Sequence, residues 1–211
     1  MSDFQKIDVS AWERAEHCVF FRDHLQPQYG IGFDVDVTDF HKFVKDSGLS
    51  FTLAFVFAVT KCAGGIENFR YRFAGDDVVL YDKIDVSFTY LDAKTKLFKV
   101  VNAAMTDDMT DFVRRAKANA EQQRENFAVP PPNAFFFTSI PWISFTHFTH
   151  TISGRPNNGS ALFDFGKFSK REGRLIMPFS AVVHHSFVDG YHVGLLAEKL
   201  QKYLNGFKAV I

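Results

Sequence analysis

The segment His184-His185-Ser186-Phe187-Val188-Asp189-Gly190-Tyr191-His192 gathers most of the side chains that could do chemistry. It follows directly on an apolar run, Ala181-Val182-Val183. A histidine where a strand ends in a tight turn is held rigidly and can face a cleft. Its imidazole titrates near neutral pH and can serve as a general base. Asp189 could orient the loop or accept a bond from a cation. Gly190 could adopt a backbone conformation closed to other residues. The same residues also fit a satisfied structural pair of histidines, and the local pattern leaves both readings open. Metal binding is weaker. Adjacent strand residues point to opposite faces, Cys18 and Cys62 lie far away, and no spacing matches a zinc site. No metal ligand is assigned.

The elements around this segment follow from hydrophobic periodicity. Ile31, Phe33, Val35 and Val37 alternate with Asp34 and Asp36 as in a half-buried strand. Thr38 then reads as an N-cap, with Phe40, Phe43 and Val44 on one helical face and Gly48 as a stop. A buried helix is expected over Ser50 to Cys62, closed by Gly64-Gly65. Strands are expected near Val78–Tyr81, Val86–Leu91 and Lys96–Ala103, then a helix over Asp107–Gln123. Further strands are expected near Ala134–Thr138, Ile143–Thr149, Ala161–Ser169 and Arg174–His184. A last helix, Tyr191–Leu204, puts Val193, Leu196, Leu200 and Leu204 on one stripe. Strands and helices are intermixed without strict alternation, which favours an α+β, mixed two-layer sandwich over a doubly wound fold.

Composition narrows the function. The 211 residues carry 24 basic and 24 acidic side chains, so no net positive field exists to drive phosphate neutralisation on nucleic acid. Two cysteines make no disulfide framework and read as buried thiols of a reducing compartment. The N-terminal residues lack a signal peptide's charged and apolar regions, and no apolar run is long enough to span a bilayer. A cytoplasmic protein is expected. No phosphate cradle, dinucleotide fingerprint or Gly-x-Ser-x-Gly elbow occurs. Asp76-Asp77 and Asp107-Asp108 read as solvated turn or capping pairs. Phenylalanine is in excess, 26 residues against 6 Tyr and 2 Trp. Such rings suit a core, a dry interface or an apolar ligand pocket.

The run from His184 to Gly194 closely resembles the His-His-x-x-x-Asp-Gly-Phe-His-Val-Gly signature of the type A chloramphenicol acetyltransferases. Its short core is shared with peptide-synthetase condensation domains and, in a related form, with dihydrolipoamide acyltransferases. Further blocks in the same order are similar to that family: Trp12-Glu13-Arg14-Ala15-Glu16-His17, Ile140-Pro141-Trp142-Ile143-Ser144-Phe145 and Phe165-Gly166-Lys167-Phe168. The likeness runs over essentially the whole chain, as one acetyltransferase domain of residues 1–211. It implies a homotrimer with active sites at subunit interfaces. It also implies acetyl-CoA as co-substrate, no tightly bound cofactor, and direct acetyl transfer to a hydroxyl of chloramphenicol, giving antibiotic resistance.

By this resemblance His185 is the general base, its ring oriented through the other nitrogen by a backbone carbonyl. Arg14 pairs with Asp189 to hold the loop. Thr138 stands where the family has the serine that donates to the oxyanion, with Ser139 expected on the opposite face of the strand. Phe20, Phe21, Leu25, Phe98, Phe127 and Phe148 fall on or near acceptor-pocket positions. Trp142, Lys167 and Phe168 are assigned to the acetyl-CoA side. The chain departs from the pattern in three places. Phe21 replaces a tyrosine, His150 replaces an apolar pocket residue, and Asp164 replaces a threonine that helps place a water. These departures keep two alternatives open: the same chemistry on a different hydroxylated small molecule, or a drug-binding relative without turnover.

Overall fold

In the computed structural model, residues 3–151 and 158–207 are described. The elements run β1 (Phe4–Lys6), α1 (Ala15–Arg22), β2 (Gln28–Asp36), α2 (Thr38–Asp46), α3 (Phe51–Gly64), β3 (Tyr71–Ala74) and β4 (Asp77–Tyr81). They continue as β5 (Asp85–Leu91), β6 (Phe98–Ala103), α4 (Met109–Gln122), β7 (Ala134–Ile140) and β8 (Leu162–Gly166). The last are β9 (Ser169–Arg171), β10 (Arg174–His184) and α5 (Gly190–Asn205). The main sheet has the order β2-β10-β8-β7-β5-β6, with β9 beside β10, and a small sheet β1-β4-β3 stands apart from it. β7 lies parallel to both β5 and β8, and the other pairings of the main sheet are antiparallel. The fold is mixed α/β.

Register sorts the sheet's residues onto two faces. Ile31, Ala181, Phe163, Phe137, Phe88 and Val101 lie side by side across six strands. Phe33, Phe179, Phe165 and Ser139 form the next row on that face. Helix α3 covers it, with the Phe55 ring 4.9 Å from Phe165 and 5.9 Å from Phe179. Ten of the fourteen residues of α3 are buried, as its nearly all-round apolar sequence requires. The opposite face carries Gly30, Val182, Leu162 and Phe136 in one row and Gly32, Ser180, Asp164 and Thr138 in the next. That face is open.

Four sequence expectations need correcting. No strand forms over 143–149. Its apolar residues Ile143, Phe145 and Phe148 break period two, and the segment crosses the end of β8 with one backbone bond, Lys167 N–H to Ile143 O at 2.8 Å. There a Cβ on Gly166 would meet Ile143 O at 2.7 Å, so only glycine admits the crossing chain. The strand expected over Ala161–Ser169 is two pieces, β8 and β9, broken at this same crossing. Thr38 is the first helical residue rather than the cap. Its N–H and hydroxyl both donate to Asp36 Oδ1, at 3.0 and 2.6 Å. Gly190 opens α5 with no positive φ, and a Cβ there would meet nothing within 4 Å. It is therefore not required for its backbone conformation.

Candidate active site

The turn after β10 is braced from several sides. Phe187 and Val188 N–H groups both donate to His184 O at 3.0 Å, closing the turn on itself. His185 N–H donates to Pro27 O at 2.9 Å, and the Tyr29 hydroxyl donates to Val188 O at 3.1 Å. Arg14, just ahead of α1, spends its whole guanidinium here. It donates to both Asp189 carboxylate oxygens, at 2.7 and 2.5 Å, to His185 O at 3.0 Å and to Ser186 O at 2.8 Å. The fork geometry of arginine makes this possible, and lysine could not reproduce it. Arg14 is the main reason the Asp189 carboxyl is held below its ordinary range. The side chains are 12% and 31% exposed, so the pair is partly desolvated. The expected pairing of Arg14 with Asp189 is present.

His185 is clamped as a ring. Phe21 stacks on it at 4.0 Å and 8°, and Tyr29 lies tilted at 4.6 Å. Its Nδ1 is buried and makes no hydrogen bond among the described residues. Asp189 Oδ1 is 3.2 Å away without forming one. The expected carbonyl partner is not found among the described residues, and the ring is held by stacking. The side chain is 36% exposed, and none of that exposure is at Nδ1. Burial favours the neutral form of both neighbouring histidines. His184 is buried, its Nδ1 accepts from Ser186 N–H at 3.2 Å, and burial pushes its pKa down to about 4. His192 Nδ1 accepts from Asp189 N–H at 3.0 Å in the first turn of α5, and burial lowers its pKa too.

The other expected site residues lie elsewhere on the chain. Thr138 sits on the open face of β7, beside Asp164 in register, while Ser139 pairs with Phe165 on the helix-covered face. The open face forms the floor of a cavity of about 830 Å³, lined by Gly30, Gly32, Phe136, Leu162 and Val182. Leu25, Phe148 and His150 stand around it, but His185 does not line it. His150 Nε2 bonds both oxygens of Asp164, at 2.9 and 3.0 Å. Phe20 packs edge-on against Phe21 at 4.9 Å, beside His185. Phe98 and Phe127 make a separate exposed pair, with rings 5.8 Å apart. Trp142 is exposed, Lys167 is tied to Ile143 through its backbone, and Phe168 is half-buried against His41 and Phe51.

One chain therefore separates a histidine on a braced turn from a cavity that the histidine does not enter. Sequence reasoning missed Tyr29 and the cavity-lining His24, and it singled out His184 without placing it at a cavity. Tyr29 could have been found only through the pairing that sets it opposite Val183.

Comparison with known proteins gives matches over nearly the whole chain. The family model described as "Chloramphenicol acetyltransferase" covers residues 2–201. A chloramphenicol acetyltransferase of Klebsiella sp is 28% identical over 207 residues, covering 96% of this chain and 94% of its own. Chloramphenicol acetyltransferase 3 of Escherichia coli is 24% identical over 208 residues, covering 96% and 98%. A solved chloramphenicol acetyltransferase superposes with a TM-score of 0.86 at 31% identity, over 96% of this chain and 100% of that one. A probable dihydrolipoamide acetyltransferase of Listeria monocytogenes shares the fold, with a TM-score of 0.67 at 16% identity over 93% and 91%.

Proposed function

The chain belongs to the chloramphenicol acetyltransferase family and is an acyltransferase, and from that premise we propose direct acetyl transfer from acetyl-CoA to a hydroxyl of a small acceptor. His185 is the base. It removes the acceptor's hydroxyl proton as the oxygen attacks the thioester carbonyl. The Thr138 hydroxyl donates to the oxyanion of the tetrahedral intermediate. The intermediate collapses, the C–S bond breaks, and CoA leaves as the thiol with the proton from the imidazolium. Atoms balance without an acyl-enzyme. Arg14 and Asp189 hold the loop. Phe20, Phe21, Leu25, Phe98, Phe127, Phe148, His150 and Asp164 shape the acceptor side, and Trp142, Lys167 and Phe168 the acetyl-CoA side.

The observation that carries this reading is the braced His185 ring, stacked on Phe21 and 36% exposed. Its separation from the cavity supports assembly as a homotrimer, in which the turn of one subunit faces the cavity of the next. Exposed apolar side chains at Phe20, Leu25, Phe98, Phe127 and Val129 support burial against another copy. Chloramphenicol is the first acceptor to test, with a cytoplasmic resistance role. A second reading, the same chemistry on another alcohol, is favoured by the polar His150–Asp164 pair in the cavity. The test is release of CoA thiol from acetyl-CoA and chloramphenicol. Release that disappears in His185→Ala supports the first reading, and release only with another alcohol supports the second. Binding of acceptors without release supports a non-catalytic relative.

A further inference from the structure

Asp164 is 0% exposed, in the middle of the sheet between Thr138 and Ser180. Among the described residues its carboxylate is bonded by His150 alone, through Nε2. His150 comes from the crossing segment rather than from the sheet, lines the cavity and is partly exposed. Its Nδ1 makes no hydrogen bond among the described residues. The pair can hold its protons in three ways. Carboxylate with imidazolium is net neutral, and so is carboxylic acid with a neutral imidazole protonated on Nδ1. Both place a proton on Nδ1. Carboxylate with an imidazole protonated only on Nε2 leaves one uncompensated charge where water does not reach, which burial disfavours. Burial also pushes the Asp164 carboxyl up, in the same direction. His150, a lining residue of the cavity, thus carries an N–H on the ring nitrogen that Asp164 does not hold, among lining residues that include Phe148 and Phe136.

We propose that His150, backed by Asp164, determines acceptor specificity by donating through Nδ1 to a carbonyl oxygen of the acceptor alcohol. This rests on the acetyltransferase reading for the word acceptor, and names the substrate class of that site: aryl alcohols with a carbonyl group apart from the reacting hydroxyl. The probes are 2-hydroxyacetophenone and 2-phenylethanol, which share a skeleton and differ by one carbonyl. Ligand-observed NMR on the full chain should show the ketone binding about tenfold tighter, as for a hydrogen bond to a charged or charge-paired group. In His150→Leu/Asp164→Thr, which removes donor and carboxylate together, that preference should vanish. Equal binding of the two probes, a preference that survives the double variant, or no binding of either overturns the proposal.

A second measurement needs no variant. The ¹⁵N signal of His150 Nδ1 at pH 7 should lie in the protonated range, and a signal in the unprotonated range overturns the proposal even if the double variant fails to fold. Failure of the underlying reading looks different. No CoA release with any alcohol, alongside an intact ketone preference, sinks the acetyl transfer and leaves the specificity pair standing.

Discussion

The turn that carries His185 and the sheet face that carries His150 hold their histidines by opposite means. His185 is fixed from outside. Phe21 stacks on it and Tyr29 lies tilted beside it, its backbone is pinned by Pro27 and Arg14, and its own Nδ1 is left without a bond among the described residues. His150 is fixed from behind, by two bonds from one nitrogen to one buried carboxylate. The first arrangement fixes the ring while leaving its nitrogens uncommitted, which suits a group that must meet a substrate proton. The second commits one ring nitrogen to a neighbour, which suits recognition.

The largest effect that sharpens this contrast is expected at the base. His185→Ala should lower kcat by about 10⁴-fold, the upper range for a general base, with the fold unchanged by circular dichroism. His150→Leu/Asp164→Thr should instead change which alcohol is used. If the two variants lose the same activity on every acceptor, the contrast is wrong. Thr138→Ala should follow with a loss of about 10²–10³-fold in kcat, as for one oxyanion donor, and Thr138→Ser should restore most of it. Ser139→Ala, on the covered face, should change turnover little.

His184 gives the next effect, in stability. Its imidazole is neutral in the fold, pushed down to about 4 by burial, and titrates near 6.5 when unfolded. The unfolded chain then binds more protons between those values, so stability rises with pH across that window and is lost on acidification through it. The total is about 3 kcal/mol. Urea unfolding at pH 4.5, 5.5 and 7 should show the slope, and His184→Gln should flatten it. The smallest effect is at the brace. Arg14→Ala leaves Asp189 partly buried without a partner and should cost about 2 kcal/mol of stability, less than for a fully buried pair. It should also lower kcat more than it raises KM for acetyl-CoA. Arg14→Lys should recover little of either, because a lysine ammonium cannot fork.

What could be read from sequence was what is local. The turn 184–192 names its own chemistry because strand, histidines, aspartate and helix start are consecutive. Helices α2 to α5 show in their apolar spacing, and Asp108 caps α4 by accepting from Asp111 N–H at 2.8 Å, as its place ahead of the helix suggests. β1 and β3 are too short to carry a period, and the crossing segment 143–149 mimics a strand only until Phe148. The His150–Asp164 bond was hidden for another reason. Each residue is visible as a departure from a familiar pattern, but a contact spanning fourteen positions between a loop and a central strand has no periodic trace. The separation of the turn that carries His185 from the cavity is likewise a property of topology.

The central claim is that His185 and Thr138 act together although one chain sets them apart, and hybrid assemblies test it most directly. His185→Ala and Thr138→Ala chains, each strongly impaired alone, would be produced together with different tags and the mixed oligomer purified. The account predicts that the hybrid regains acetyl transfer, because some interfaces then join an intact His185 to an intact Thr138. A hybrid that assembles and is no more active than its two parents would contradict it.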